Sequence, residues 1–229
     1  MSTVDVCVAA CADLFRGDGE ILASPMGVVP SLGARLARLT FEPDLLLSDG
    51  EATLLTADGQ PEGWLPYRAV FDVVAHGKRH VVMGANQLDQ YGNQNISCIG
   101  PHAAPKRQLL GFRGAPGNTV NHRTSYWVPR HSPRVFVPAV DVVSGVGYDR
   151  DGGRFHDVYR VVTNLCVLDF GGPAHSTRVV SVHPGVTLDE VRSQTGFPLV
   201  TDDVTETRQP TANELDLLRK LDPTDARNA

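Results

Sequence analysis

The stretch GEILASPMGVVPSLGARLARLTFEPDLLLS, residues 19–48, changes its period twice. It begins as a short apolar run that stops at Pro25 and Gly27. Leu32, Leu36 and Leu39 then recur at spacings of four and three, which stacks them on one face of a helix. Leu45, Leu46 and Leu47 form a second apolar run that ends at Ser48. Strand, helix and strand within about 30 residues is the size of a βαβ unit. Its two strands run parallel, because a crossover helix returns the chain to the end at which it started.

Working outward, residues 4–16 predict a helix with Val4, Val8, Cys11, Ala12 and Phe15 close to one stripe. Downstream, a Pro/Gly-rich loop at 57–66 precedes a helix over 67–77 and a strand in RHVVMGAN (79–86). YGNQNISCIG (91–100) follows as turn and strand. From 134 the Val- and Phe-rich runs RVFVPAVDVVS, DVYRVVTNLCVLDF and TRVVSVHPGV read as strands. In TLDEVRSQTG (187–196), Thr187 is an N-cap with Glu190 three residues on, a capping box, and Gly196 is placed to end the helix. Thr211 and Glu214 repeat the box at the head of a last helix over 211–221.

A chain of 229 residues holds one large domain or two small ones. Hydrophobic side chains at 41% and 22 glycines bring the apolar share to about half, enough for a packed core. The net charge of −5 argues against a general nucleic-acid coat. No apolar run reaches 18 residues, so no membrane span is expected. The opening segment MSTVDVCVAACADLF starts acidic and lacks the basic head of a signal peptide. Cys7, Cys11, Cys98 and Cys166 show no C-x-x-C spacing, so neither zinc nor a disulfide framework is signalled, and a reducing cytoplasm fits. Cys7 and Cys11, four apart on the first helix, are expected to pack as small apolar residues. The eight histidines show no H-E-x-x-H or H-x-H, so no metal site is expected.

Three stretches carry candidate chemistry. The first is the end of the βαβ unit, where Ser48 runs into Asp49, Gly50 and Glu51. Open α/β sheets hold ligands at the carboxyl ends of their strands, and a plain polar turn gives the same letters. The second is an acid-free window of 51 residues between Asp89 and Asp141. It holds Lys106, Arg107, Arg113, Arg123, Arg130 and Arg134, so the rest of the chain carries −11. Such separation steers anions or an acidic partner, unless it is a solvated basic face. Within the window, GFRGAPGN (111–118) offers Gly111, Gly114 and Gly117 for close backbone approach, with a helix beginning near Asn118. The spacing is not that of a dinucleotide fingerprint. The third is GANQLDQYGNQNIS (84–97), where Gln87 and Asn93 are placed either to orient polar ligand groups or to hold a turn through their own side-chain bonds.

GANQLDQYGNQNIS, GFRGAPGN and above all VHPGVTLDEVRSQTGF (182–197) resemble the β subunit of class I CoA-transferases, the glutaconate and 3-oxoacid types in particular. The resemblance covers most of the chain. It implies a single α/β domain with an open, largely parallel central sheet flanked by helices, and an α subunit as partner in a heteromer, expected as a heterotetramer. In that family the β subunit carries a glutamate nucleophile after a strand, typically within Ser-Glu-Asn-Gly. Here Ser48 matches, Asp49 stands at the glutamate position, and Gly50 and Glu51 depart from the pattern. A branch of the family that lacks this glutamate opens steroid rings by hydrolysis in actinobacterial cholesterol degradation, and the whole sequence resembles that branch. The implied substrate is an acyl-CoA, with coenzyme A part of the substrate and no separate cofactor. The implied role of Asp49 and Glu51 is to orient water or substrate. The implied role of the loop Gly111–Asn118 is to shape the acyl pocket or to supply oxyanion donors, and that of Arg113 or Arg123 is to pair with a substrate carboxylate. The alternatives are a transferase using Asp49 or Glu51 as nucleophile, and a non-catalytic sensor or scaffold on the same fold.

Overall fold

A computed structural model describes residues 2–112 and 114–228. The chain divides into two compact units, Met1–Met83 with Thr207–Ala229, and Gly84–Glu206.

The first unit contains the βαβ element of the opening stretch. Strand β1 (Leu22–Pro25), helix α2 (Val28–Thr40) and strand β2 (Leu46–Ser48) follow in order, after helix α1 (Thr3–Asp13). β1 pairs in parallel with β2 and with β5 (Arg79–Gly84), and Leu22 faces Leu46 on one side and Arg79 on the other. The chain then folds back: β3 (Thr53–Leu55) and β4 (Pro61–Trp64) add antiparallel strands beside β2. Helix α3 (Tyr67–His76) leads into β5.

Helix α1 differs from the striped helix that the sequence suggests. It ends at Asp13, and every residue from Asp5 to Ala12 is buried, so it is a core helix rather than a surface one. Cys7 and Cys11 pack here as expected, and burial pushes the Cys7 thiol up to about 12. Packing against α2 is close because Gly33 has no side chain. A Cβ there would lie 2.7 Å from the Cys11 Cβ and 2.9 Å from the Ala12 nitrogen. The final helix, α6 (Ala212–Leu221), opens on the predicted box: Glu214 N–H donates to Thr211 Oγ1 and Thr211 N–H to the Glu214 carboxylate. The tail is tied to α1 by Arg208, which bridges Asp13 and Glu214, and by Arg227, which bridges Asp5 and Asp222.

In the second unit β10 (Arg123–Val128) and β11 (Asp157–Thr163) are parallel. The run DVYRVVTNLCVLDF turns at Asn164–Leu165, so β11 and β12 (Cys166–Asp169) form an antiparallel hairpin with Val161 opposite Leu168. β13 (Arg178–Val182) continues it antiparallel, and β14 (Thr205–Glu206) ends it in parallel. Short ladders join β6 (Gln87–Leu88) to β7 (Gln94–Asn95) and β8 (Cys98–Ile99) to β9 (Arg107–Gln108). Helix α4 (Ala115–Asn121) and helix α5 (Leu188–Ser193) complete the unit.

Three sequence expectations are corrected in the second unit. RVFVPAVDVVS is not a strand: only Phe136 bridges, to Leu88, and the rest turns. Pro138 has no N–H for a ladder, and its neighbours Ala139 and Asp141 are exposed. The helix expected near Asn118 starts three residues earlier, with Pro116 in its first turn, where the missing N–H costs nothing. Gly196 does not terminate α5, which is capped at Gln194. It lies against the chain at Phe136, whose carbonyl accepts its N–H at 2.8 Å and leaves no room for a Cβ. At the other end Thr187 accepts the Glu190 N–H, one half of the predicted box.

Candidate active site

Strand β2 delivers Ser48 to the sheet end buried, and the chain leaves it in a tight turn. Gly50 sits at φ +88° against the end of β1, where a Cβ would come within 3.0 Å of the Pro25 carbonyl carbon. Only glycine fits both the torsion and the space. Asp49 Oδ1 accepts three backbone N–H groups, from Glu51 at 2.8 Å, Ala52 at 2.9 Å and Thr53 at 3.1 Å. Burial pulls this carboxyl up, but the Glu51, Thr53 and Ala52 donors outweigh it and hold it below the usual aspartate range. A carboxylate held by three donors is a stable anion and a poor nucleophile.

Glu51 is different. It lines a recess of about 220 Å3, counted out to solvent, together with Leu22, Ser24, Ser48, Leu65, Val70, Val73 and Arg79. Arg79 is buried in the floor, 6% exposed, and Nε donates to Ser24 Oγ at 3.0 Å. Ser24 Oγ lies 3.4 Å from Ser48 Oγ, which donates to the Ala23 carbonyl at 2.9 Å and accepts the Gly50 N–H at 3.2 Å. Burial lowers the Arg79 guanidinium to about 10, so it is still a cation at neutral pH. The recess thus places a carboxylate, a guanidinium and two hydroxyls beside four apolar side chains. Sequence reasoning missed Arg79 and Ser24. The available signals were an arginine at the head of the apolar strand RHVVMG and a serine inside LASP, in two strands that pair with one another.

The other candidates belong to the second unit. Gln87 is committed internally: its Nε2 donates to Asp141 at 3.0 Å, and its Oε1 accepts from Asn95 and from the Asp141 N–H. Asn93 donates to Asp89 and Asp149 and accepts the Gly147 N–H. Both side chains hold their loop together, the plainer of the two readings. Gly111 has φ +89° with open space around it. Gly114 caps α4, Gly117 lies within the helix, and buried Asn118 donates its N–H to the Gly114 carbonyl at 2.9 Å. Arg123 Nε donates to Asp157 at 2.8 Å with both side chains partly exposed, and its guanidinium lies over the Tyr159 ring. Arg113 lies outside the described residues. Lys106, Arg107, Arg130 and Arg134 are exposed.

Among the described residues no group of three or more His, Cys, Asp and Glu is arranged to hold a metal ion. No helix among them is long and apolar enough to cross a membrane.

Comparison with known proteins bears on this geometry. A model of the coenzyme A transferase family matches residues 70–194. The chain is 57% identical over 245 residues to the IpdB subunit of the cholesterol ring-cleaving hydrolase of Mycobacterium tuberculosis, covering 100% of this chain and 98% of that protein. The crystal structure of IpdAB from Rhodococcus jostii RHA1 is similar at a TM-score of 0.94 and 55% identity, covering 100% of this chain and 97% of that one. Glutaconate coenzyme A-transferase from Acidaminococcus fermentans superposes at a TM-score of 0.85 with 20% identity, over 100% of this chain and 98% of that one, a likeness of fold.

Proposed function

Because this chain belongs to the coenzyme A transferase family, we propose that it is the β subunit of a cholesterol ring-cleaving hydrolase, working in the cytoplasm with an α subunit of the same fold. The reaction is a retro-Claisen hydrolysis. Water adds to a ring ketone of a steroid-derived acyl-CoA. The carbon–carbon bond between that carbon and the α-carbon of the thioester then breaks. Its electron pair leaves as the thioester enolate, which takes a proton, while the former ketone becomes a carboxylic acid. Net, one water is consumed, one ring opens, and coenzyme A stays attached.

The observation that carries hydrolysis over transfer is the Asp49 carboxylate. By the sequence resemblance it stands at the position of the transferase nucleophile, and its Oδ1 is taken by three N–H donors. A shorter side chain held in a turn does not reach an acyl carbon placed for glutamate, and a misplacement of about 1 Å costs about 100-fold. Glu51 lines the recess, and we assign it the orientation of the attacking water. The loop 111–118 and Arg113 are assigned to the acyl group and its carboxylate, and two αβ pairs to the assembly.

The αβ complex, incubated with ring-intact acyl-CoA esters, is expected to release ring-opened acyl-CoA at a rate independent of added acetate. Borohydride added during turnover is expected neither to inactivate it nor to shift the mass of the peptide carrying Asp49 and Glu51. A transferase forms an enzyme–CoA thioester that borohydride reduces. A reduced residue at 49 or 51, or acetyl-CoA formed from acetate, would replace hydrolysis with transfer through Glu51 or Asp49.

A further inference from the structure

We infer that Arg79 is a positioning residue for this reaction: from the floor of the recess it holds, through Ser24 and Ser48, the turn that presents Glu51. The inference rests on the role just proposed for Glu51. Its physical basis is a run of side-chain bonds and one close hydroxyl contact. Arg79 opens β5, directly across from Leu22 in β1, and its Nε–H donates to Ser24 Oγ at 3.0 Å. The Ser24 and Ser48 hydroxyls lie 3.4 Å apart, and Ser48 Oγ accepts the Gly50 N–H at 3.2 Å. One residue further, the Glu51 N–H is held by Asp49. The backbone that carries Glu51 is therefore fixed from below by the Arg79 path and from outside by the Asp49 carboxylate.

Packing alone does not account for an arginine here. Leu22, Leu65, Val70 and Val73 line the same recess, so an apolar side chain of similar length would suit its walls. Burying a guanidinium in such surroundings is costly unless its donors are placed, and an apolar replacement is often neutral or stabilising for the fold alone. Ser48 gives its proton to the Ala23 carbonyl at 2.9 Å, so Arg79 supports the turn through its bond to Ser24 and the contact of the two hydroxyls at 3.4 Å. Lysine does not substitute: it keeps the charge but loses the planar Nε–H aimed at Ser24.

The test uses the αβ complex with Arg79→Met, Arg79→Lys and Ser24→Ala. Two quantities are read, steady-state kinetics on a ring-intact acyl-CoA and amide hydrogen exchange at Gly50 to Thr53. In Arg79→Met, kcat is expected to fall about 100-fold with KM changed less than about twofold, because the bound substrate meets a misplaced group. Exchange at Gly50 to Thr53 is expected to rise about tenfold while α1 and α2 keep wild-type protection. Arg79→Lys is expected to behave like Arg79→Met, and Ser24→Ala to give a smaller shift of the same kind. Should Arg79→Met not fold, the other two variants carry the same expectations. A raised KM with unchanged kcat, unchanged exchange at the turn, or exchange raised uniformly through the first unit would each overturn the inference. If the wild-type complex proves to be no acyl-CoA hydrolase, the proposed reaction fails, while the exchange data still decide whether Arg79 holds the turn.

Discussion

Asp49 Oδ1 lies 2.8 Å from the backbone nitrogen of Glu51, so the first carboxylate of the turn fixes the place of the second. The two acids are adjacent in purpose and unlike in kind. One is consumed by the backbone, and the other opens on the recess beside Arg79.

Asparagine at 49 keeps an oxygen for the three N–H groups, and alanine does not. Asp49→Asn is expected to lower kcat only modestly, and Asp49→Ala to lower it by more than about tenfold. The side chain is exposed, so either change costs no more than about 1 kcal/mol of stability. Because its folded value is lowered, the Asp49 contribution is present above the ordinary aspartate value and is lost as pH falls through the lower one. Urea unfolding of wild type and Asp49→Asn should therefore differ at pH 7, and the gap should narrow as pH falls below the ordinary aspartate value. A gap that stays constant through that fall would deny Asp49 its role as a charged staple.

His131 gives the opposite acid response. It stacks on Phe136 at 3.9 Å, with ring nitrogens at 2.9 Å from Thr195 Oγ1 and 3.2 Å from Thr163 Oγ1, and burial lowers it to about 4. Below the ordinary value of about 6.5 the unfolded chain takes a proton that the folded chain refuses. Stability is lost from about pH 6.5 downward and levels off near pH 4, about 3 kcal/mol in all. His131→Asn is expected to flatten that slope, measured by urea unfolding at pH 7 and at pH 4.5. Equal slopes in the two proteins would show that His131 is not its source.

Arg123 was an attractive clamp for a substrate carboxylate in the sequence. Its ion pair with Asp157, at side-chain exposures of 37% and 40%, changes the expectation. Arg123→Ala should leave kcat/KM within about threefold and stability within about 1 kcal/mol. Truncating one half of a buried, hydrogen-bonded charge pair costs about 2–5 kcal/mol, and a loss of that size would return Arg123 to the substrate.

Helix α3 buries no residue completely, and Trp64, Tyr67 and Phe71 stand 69%, 78% and 54% exposed on its side of the first unit. The chain expressed alone is expected to be poorly soluble or inactive, and co-expression with the α subunit to restore it. A soluble and active lone chain would remove the need for a partner.

The βαβ element was legible because Leu32, Leu36 and Leu39 mark one period and Leu45–Leu47 another; Leu32, Leu36, Leu45 and Leu47 are buried, while Leu39 and Leu46 stand 41% and 46% exposed. RVFVPAVDVVS misled because valine content is a side-chain property, while a strand also needs every second N–H, and Pro138 has none. In the site, Ser48, Asp49 and Glu51 were visible as a cluster in sequence. Arg79 and Ser24 were not, since what joins them to that cluster is pairing across β1, β2 and β5, and the pairing has no local signature. Gln87 and Asn93 read alike as ligands and as loop braces. Their partners Asp141 and Asp149 lie more than 50 residues away, out of reach of any local motif.

Gly50 also bears on descent. Transferases of this family typically carry asparagine at that point of the loop, after their glutamate. Here a Cβ would strike the backbone of Pro25 in a torsion at +88°. Restoring Glu at 49 alone leaves the wrong neighbour, and restoring Asn at 50 alone breaks the turn. Both changes together still need the end of β1 to move, so the main chain at Gly50, and not the side chain at 49 alone, decides which residues this turn accepts.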